Sequence, residues 1–265
     1  MYDFNYKRAT SVDDAAAAIN SADDGKIVAG GMTLLPTLKQ RLAMPSDLVD
    51  LADLSDLVGI TVDGSSVTIG AMTPHAVVHA SADVQKAIPA LSKLAGLIGD
   101  PMVRNRGTIG GSISNNDPAA DYPSAVVGLG ATVHTSKREI AGDDFFTGMF
   151  ETALEEDEIV TKVVFPIPEK AAYMKFPNPA SRYAVVGAFV SKGTQGTRVA
   201  VTGAGPCVFR QSDMEAALES NFTPEAVENI KQDDGDLNTD IHASAEYRAH
   251  LVTVMAKRAV AEANG

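Results

Sequence analysis

Hydrophobic and polar positions change their period along this chain, and each change marks a different architecture. In "TSVDDAAAAINSA" polar residues lead into a run of alanines, which predicts a helix with Thr10 as N-cap and Asp13 three residues later. "KIVAGG" predicts a short buried strand ending in a glycine turn. "MTLLPTLKQRL" and "SDLVDLADLSDL" predict short helical or irregular segments around a strand at "DLVDL", so residues 1–60 read as a small α/β unit. From "GITVDGSSVTIGAMT" the period falls to two, the pattern of a β-hairpin with "DGSS" as its turn. Helical spacing returns over "PHAVVHASADVQKAIPALSKLAGLIG", and a glycine-rich stretch is followed by strand candidates "ATVHTS", "REIAGDDFF" and "EIVTKVVFPIP".

Beyond "PIPEK", the segment "KFPNPASRYA" reads as a proline-rich link to two strands, "AVVGAFVSK" and "TRVAVTGAG", joined by a Gly-Thr-Gln-Gly turn. Thr223 with Pro224 marks a helix start, and Tyr247, Leu251, Val254, Met255 and Ala259 share one face of a last helix. The expected fold class is α+β, in three lobes: 1–60, 61–170 and 171–265, the last an antiparallel sheet plus helices.

Composition bounds the partners. With 265 residues and 45% hydrophobic content the chain can build real cores. Its net charge of −12 repels nucleic acid and anionic membranes at long range, so any anionic ligand must be held by local groups. A single cysteine, Cys207, can neither form an internal disulfide nor hold an iron–sulfur cluster, which usually takes four thiolates, and it suits a reducing cytoplasm. Asp13 and Asp14 arrive before any long apolar stretch, so no secretory signal is expected. No apolar run approaches the roughly 20 residues of a spanning helix either, so no integral membrane segment is expected.

Two glycine segments carry the candidate chemistry. In "VAGGMTLLP" and "TIGGS" apolar residues run into paired glycines, which permit positive φ, admit a ligand close to the backbone and free successive N–H groups to converge on an anion. Either pair alone is equally a plain turn. Together they suit the two phosphates of a dinucleotide bound through neutral amides. The familiar nucleotide signatures are missing: "GAGPCV" and "GLGATV" lack the third glycine of G-x-G-x-x-G, and no G-x-x-x-x-G-K-[ST] occurs. His75 and His79 stand four apart without the glutamate of H-E-x-x-H, so they are not expected to bind metal. "DGDLNTDIHASA" has Thr239 and Ala245 where a calcium loop needs Gly and Glu, which makes it a solvated acidic loop. Arg104 and Arg106 either soften phosphate charge or belong to an interface.

"AGGMTLLPTLKQR", "IGDPMVRNRGTIGGSISNNDPAADYPSAVVGLGAT", "NPASRYAVVG" and "SAEYRAHLVTVMAKRAV" resemble the FAD-binding medium subunit of molybdenum hydroxylases. The carbon monoxide dehydrogenase type is the nearest in pattern, and the flavin domain of xanthine dehydrogenase is also similar. The resemblance spans nearly the whole chain, and two glycine motifs followed by "DPAADYP" make it specific. It implies a two-lobed FAD-binding domain of the vanillyl-alcohol oxidase-like (PCMH) type, completed by a C-terminal lobe of β-sheet and helices.

The resemblance also assigns residues. Ala29, Gly30, Gly31, Met32 and Thr33 would form a first pyrophosphate loop with Leu34 beside it, and Thr108, Ile109, Gly110, Gly111 and Ser112 a second. Asp121 matches a position on the ribityl chain, consistent with a carboxylate accepting hydroxyl hydrogen bonds. Ile98, Ile159 and Val160 match apolar positions lining nucleotide and flavin. Asn115, Asn116 and Asp117 either bond the cofactor or cap the next helix and satisfy loop backbone. Lys175, Arg182 and Tyr183 lie in a segment that approaches the isoalloxazine. There Tyr183 would cover the ring and Lys175 would set a positive charge beside it, unless both are solvated surface groups. Val185 stands where xanthine dehydrogenase carries a lysine.

By resemblance, FAD in this chain takes electrons from two [2Fe–2S] clusters of a small iron–sulfur subunit. A large molybdopterin subunit holds the molybdenum cofactor, and the whole assembles as a dimer of heterotrimers. The rivals are a stand-alone flavin oxidoreductase and a flavin-free assembly module.

Overall fold

Three sheets organise the chain, and the computed structural model describes all 265 residues of it. The first is parallel, in the order β1-β3-β2: β1 (Asn5–Arg8), β2 (Gly25–Val28) and β3 (Asp47–Asp50), crossed by α1 (Val12–Ser21) and α2 (Leu34–Lys39). Ser11, not Thr10, caps α1: its hydroxyl accepts from Asp14 N at 3.0 Å, while Asp14 Oδ2 accepts from Thr10 N at 3.0 Å. The cap moves one residue because Ser11 accepts from the third helical position while Asp14 at that position reaches back past the cap to Thr10 N, an arrangement close to a capping box.

The second sheet has five antiparallel strands in the order β4-β5-β10-β6-β7. β4 (Ile60–Val62) and β5 (Ser66–Gly70) are the expected hairpin, and Asp63 Oδ1 accepts from the amides of Ser65 and Ser66 in the turn. The long helical segment breaks into α3 (His75–Ala80), α4 (Ala82–Ala87) and α5 (Pro89–Gly96), with α6 (Pro101–Arg106), α7 (Ile109–Asn115) and α8 (Tyr122–Gly128) after them. β6 (Thr132–Thr135) and β7 (Glu139–Ala141) precede α9 (Gly142–Phe145), a small hairpin of β8 (Phe146–Gly148) and β9 (Glu151–Thr152), and β10 (Val160–Pro166). "REIAGDDFF" is therefore a strand only at Glu139–Ala141 and again at Phe146, with a turn of helix between.

The third sheet, β11-β12-β13-β14, is antiparallel: β11 (Lys170–Pro177), β12 (Ala184–Gly193), β13 (Gly196–Thr202) and β14 (Phe209–Arg210). The supposed link "KFPNPASRYA" begins inside β11, which pairs with β12 from Lys170 onward. Pro177 stands at the end of this edge strand, where its missing N–H breaks no ladder bond. α10 (Ser212–Ser220), α11 (Pro224–Val227) and α12 (Ala245–Ala263) cover one face of the sheet. α12 buries Leu251, Val252, Met255, Ala256, Ala259 and Val260, whereas Tyr247 stays exposed. Arg248, also buried, donates to the carbonyls of Val185 and Gly203 and to Asp240. No helix is long and apolar enough to cross a membrane.

His75 lies at the junction of α3 with the second glycine segment. It is 3% exposed, its N–H donates to Gly107 O at 3.0 Å, its ring packs 5.3 Å from that of Tyr122, and its Nδ1 has no partner. Burial, with the nearby Arg104 charge, lowers its pKa from 6.5 to about 4. Between those two values the unfolded chain binds the proton that the folded chain refuses, so stability falls as pH drops through the window. We predict that His75→Phe flattens the pH dependence of urea-unfolding stability between pH 6.5 and 4 relative to wild type. Parallel curves for the two proteins would show that His75 is not a neutral buried group.

Candidate functional site

The first glycine segment leaves β2 at Val28 and enters α2 at Leu34. None of the backbone N–H groups from Ala29 to Leu34 donates to an acceptor in the protein. The carbonyls of Gly31 and Thr33 meanwhile accept from Leu35 and Thr37 and so start the helix. Gly31 has φ +73°, a conformation that a branched residue resists. A run of unpaired donors at a chain reversal offers an anion site without any cationic side chain.

The second segment is not the loop expected. Thr108 is the N-cap of α7, its Oγ1 accepting from Gly111 N at 3.2 Å, and Gly110 and Gly111 are helical. Its amides are already engaged: Ile109 donates to Thr73 O, Gly110 to Ala71 O at 2.8 Å and Ser112 to Thr108 O. This segment therefore contributes surface and hydroxyls rather than a nest of amides. One face of α7, with Ile109, Gly110 and Ile113, is buried. Gly111, Ser112 and Asn115 occupy the half-buried face.

The structure brings the two segments into backbone contact. A Cβ on Gly30 would overlap the Arg106 carbonyl and lie 2.8 Å from Gly107 Cα, and one on Gly111 would lie 3.5 Å from Ala29 Cβ. Ala29 and Gly30 are thus neighbours of the Arg106–Gly107 peptide and of the half-buried face of α7 at Gly111. Arg104 donates to the carbonyls of Ile98 and Gly99 at 3.0 and 3.1 Å, which ties the turn between α5 and α6, while Arg106 is exposed. Ile98 is half-buried against the middle core. Ile159 and Val160 are 3% and 5% exposed and taken up by two different cores, so their side chains do not line an open wall.

Asp121 directly precedes α8 and is 4% exposed. Its Oδ2 receives Lys175 Nζ at 2.9 Å and its Oδ1 receives the Tyr173 hydroxyl at 2.5 Å. Burial pushes the carboxyl pKa up, against the opposing pull of the Lys175 charge and the two hydrogen bonds. Lys175 is no solvated surface group: its side chain is 3% exposed. Tyr173 is a site residue that local sequence reasoning missed. The available signal was the alternation in "AAYMKFP", which puts residues 173 and 175 on one face of a strand.

Tyr183 is half exposed on a cleft of about 420 Å³, lined among others by Asp117, Phe150, Asn178, Val185 and Arg248. Asn116 and Asp117 serve the loop. Asn116 closes α7 in the left-handed region (φ 42°) and donates to the carbonyls of Gly148 and Glu151, and Asp117 accepts from Ala119 N. Asn115 is left beside Gly111 with no protein partner for its amide.

Comparison with known proteins follows this geometry. Residues 2–168 match the FAD-binding domain in molybdopterin dehydrogenase, and residues 171–263 match the CO dehydrogenase flavoprotein C-terminal domain. The chain is 34% identical to the nicotine 6-hydroxylase medium subunit of Paenarthrobacter nicotinovorans, over 97% of this chain and 96% of that protein. It is 33% identical to the carbon monoxide dehydrogenase medium chain of Hydrogenophaga pseudoflava, with the same coverage. The solved quinoline 2-oxidoreductase of Pseudomonas putida 86 superposes with a TM-score of 0.88 at 29% identity, covering 98% of this chain and 96% of that one. The fold, the two glycine segments and these matches agree: the chain belongs to the family of FAD-binding medium subunits of molybdopterin-dependent dehydrogenases.

Proposed function

We propose that this chain is the electron-transfer flavoprotein of a multi-subunit molybdenum hydroxylase in the cytoplasm. In this reading a small partner subunit holds [2Fe–2S] clusters, a large one holds the molybdenum cofactor, and the three assemble as a dimer of heterotrimers. The single cysteine supports that division, because this chain cannot hold such a cluster by itself. FAD, when bound, supplies redox chemistry that accepts electrons from the clusters and passes them to an external acceptor.

The run of unpaired amides from Ala29 to Leu34, closed off by the Arg106–Gly107 backbone, carries the reading. It fits a diphosphate: six neutral donors, no carboxylate within the segment, and an approach kept open by two glycines. Thr108, Ser112 and Asn115 supply side-chain hydrogen bonds from the facing helix. Asp121 accepts from ribityl hydroxyls and Lys175 sets its charge beside the ring. Tyr183 covers the ring from the cleft, with Ile98 contributing apolar surface. Residues 1–60 and 61–170 enclose the cofactor and residues 171–265 close its ring end.

Gly31→Val should abolish FAD retention, because it strains the +73° backbone and its Cβ would lie 2.9 Å from Leu35 Cδ1, which shifts the segment that carries the free amides. Gly30→Ala should weaken binding at least ~10-fold by forcing the first segment off the Arg106 carbonyl. Both are read by FAD titration beside a circular-dichroism melt; a folded Gly31→Val protein that keeps stoichiometric FAD would remove that loop from the site.

For the assembly, the chain purified with its native partners should show flavin absorbance, release FAD on denaturation and carry two further subunits with iron–sulfur absorbance. A colourless protein that binds no added FAD overturns the proposal. A fully reducible flavoprotein that always purifies alone would point to a stand-alone oxidoreductase.

A further inference from the structure

Asp121 is fixed from three sides. Ser124 Oγ donates to its backbone carbonyl at 2.7 Å, Lys175 holds one carboxylate oxygen and Tyr173 the other. Tyr173 and Lys175 are two residues apart on β11 and therefore point from the same face of the strand. In register, Tyr173 stands opposite Phe189 and Lys175 opposite Gly187. The Phe189 ring stacks 6.2 Å from that of Tyr173 and sets its plane. A Cβ on Gly187 would overlap the Tyr173 hydroxyl oxygen, so the bare backbone at 187 makes the space in which the phenol reaches Asp121. Tyr173 is fully buried, and its hydroxyl serves Asp121.

We infer that Tyr173 is a positioning residue that fixes the Asp121 carboxylate, and through it Lys175, for contact with the bound cofactor; the inference rests on the flavin reading above. A carboxylate with one oxygen unbonded in a buried site is free to rotate about its terminal torsion and is costly to keep charged. The Tyr173 hydroxyl removes both freedoms at once. It bonds one oxygen, so the other must face Lys175, and it favours the charged form against burial. The ionisable groups that face Asp121 are Lys175 and Tyr173 on β11, Tyr122 next to it on α8, and Tyr183 ahead of β12. Only Lys175 and Tyr173 bond the carboxylate, and both tyrosines beyond them stay neutral at ordinary pH.

The test is FAD titration of the purified chain from pH 5 to 8, in wild type, Tyr173→Phe, Asp121→Asn and the double variant. Tyr173→Phe keeps the ring and its stacking, so the fold is retained. It should raise the FAD Kd about tenfold at pH 7, roughly the loss of one charged hydrogen bond. Because the hydroxyl favours the carboxylate, its removal should also move the acid fall-off of binding to higher pH. In the Asp121→Asn background Tyr173→Phe should change affinity less than twofold, since the group through which it acts is gone. Gly187→Ala, which crowds the hydroxyl, should reproduce the Tyr173→Phe loss.

An unchanged affinity and pH profile in Tyr173→Phe overturns the inference. So does an equal loss in the Asp121→Asn background, which would make Tyr173 a packing residue. If wild type binds no FAD, the flavin reading is the one that fails. The inference then falls with it, whereas wild-type binding with no effect of Tyr173→Phe overturns the inference alone.

Discussion

The contact on which this architecture turns is the approach of Gly30 to the Arg106–Gly107 peptide. No side-chain atom fits between these two stretches of backbone, and the parallel first sheet is thereby brought against the helical middle of the chain. The Arg106 carbonyl occupies the space beside Gly30, yet none of the amides from Ala29 to Leu34 donates to it or to any other acceptor in the protein. The middle of the chain holds up its side through backbone bonds: Ala71, Thr73 and His75 pair with Gly110, Ile109 and Gly107. A rigid wall is thus presented to a segment whose donors are unsatisfied.

On the proposed reading, this arrangement lets a protein of net charge −12 offer an anion site. Side-chain cations would have to compete with a surrounding surplus of carboxylates. Arg104 is spent on the carbonyls of Ile98 and Gly99, Lys175 on Asp121, and Arg248 on Asp240 and two carbonyls. Amides cannot be neutralised by a neighbouring acid and do not titrate, so a cradle built from them works whatever the long-range field.

Local order was legible in the sequence and long-range partnership was not. The hairpin around Asp63 and the strand into Gly30 follow from period and turn chemistry, which act within a few residues. The resemblance to a flavoprotein family supplied the fold class and the pairing of the two glycine segments, which no periodicity contains. "TIGGS" misled because paired glycines signal a loop. A capping threonine, two buried isoleucines and backbone bonds to Ala71 and Thr73 outweigh the roughly 1 kcal/mol that each glycine costs a helix. The start of β11 was hidden by the prolines that follow it. Ile159 and Val160 look alike in sequence to exposed apolar walls, and only the packing of two cores shows that they are used up inside. Tyr173 reaches Asp121 across 52 residues, a contact that depends on the register of β11 and β12 and on a missing side chain at Gly187.

The buried cluster at Asp121 separates stability from function. A desolvated ion pair earns little or no net stability over apolar residues of the same volume, and removing one partner leaves an uncompensated charge. The third sheet already has an apolar core on its helix-covered face, from Val186 and Val190 to Met255 and Val260, so cohesion does not call for a charged pair on the other. Nor does secondary structure require it: Asp121 makes no side-chain cap for α8, and Ser124 bonds its carbonyl instead. What the pair does provide is a carboxylate and an ammonium held at fixed orientation in the buried seam between the middle of the chain and the C-terminal sheet. Hydroxyl recognition needs an acceptor with a defined direction, and a ring that changes its electron count needs a charge that does not move. On the proposed reading the pair meets those two requirements, and neither is met by hydrophobic packing.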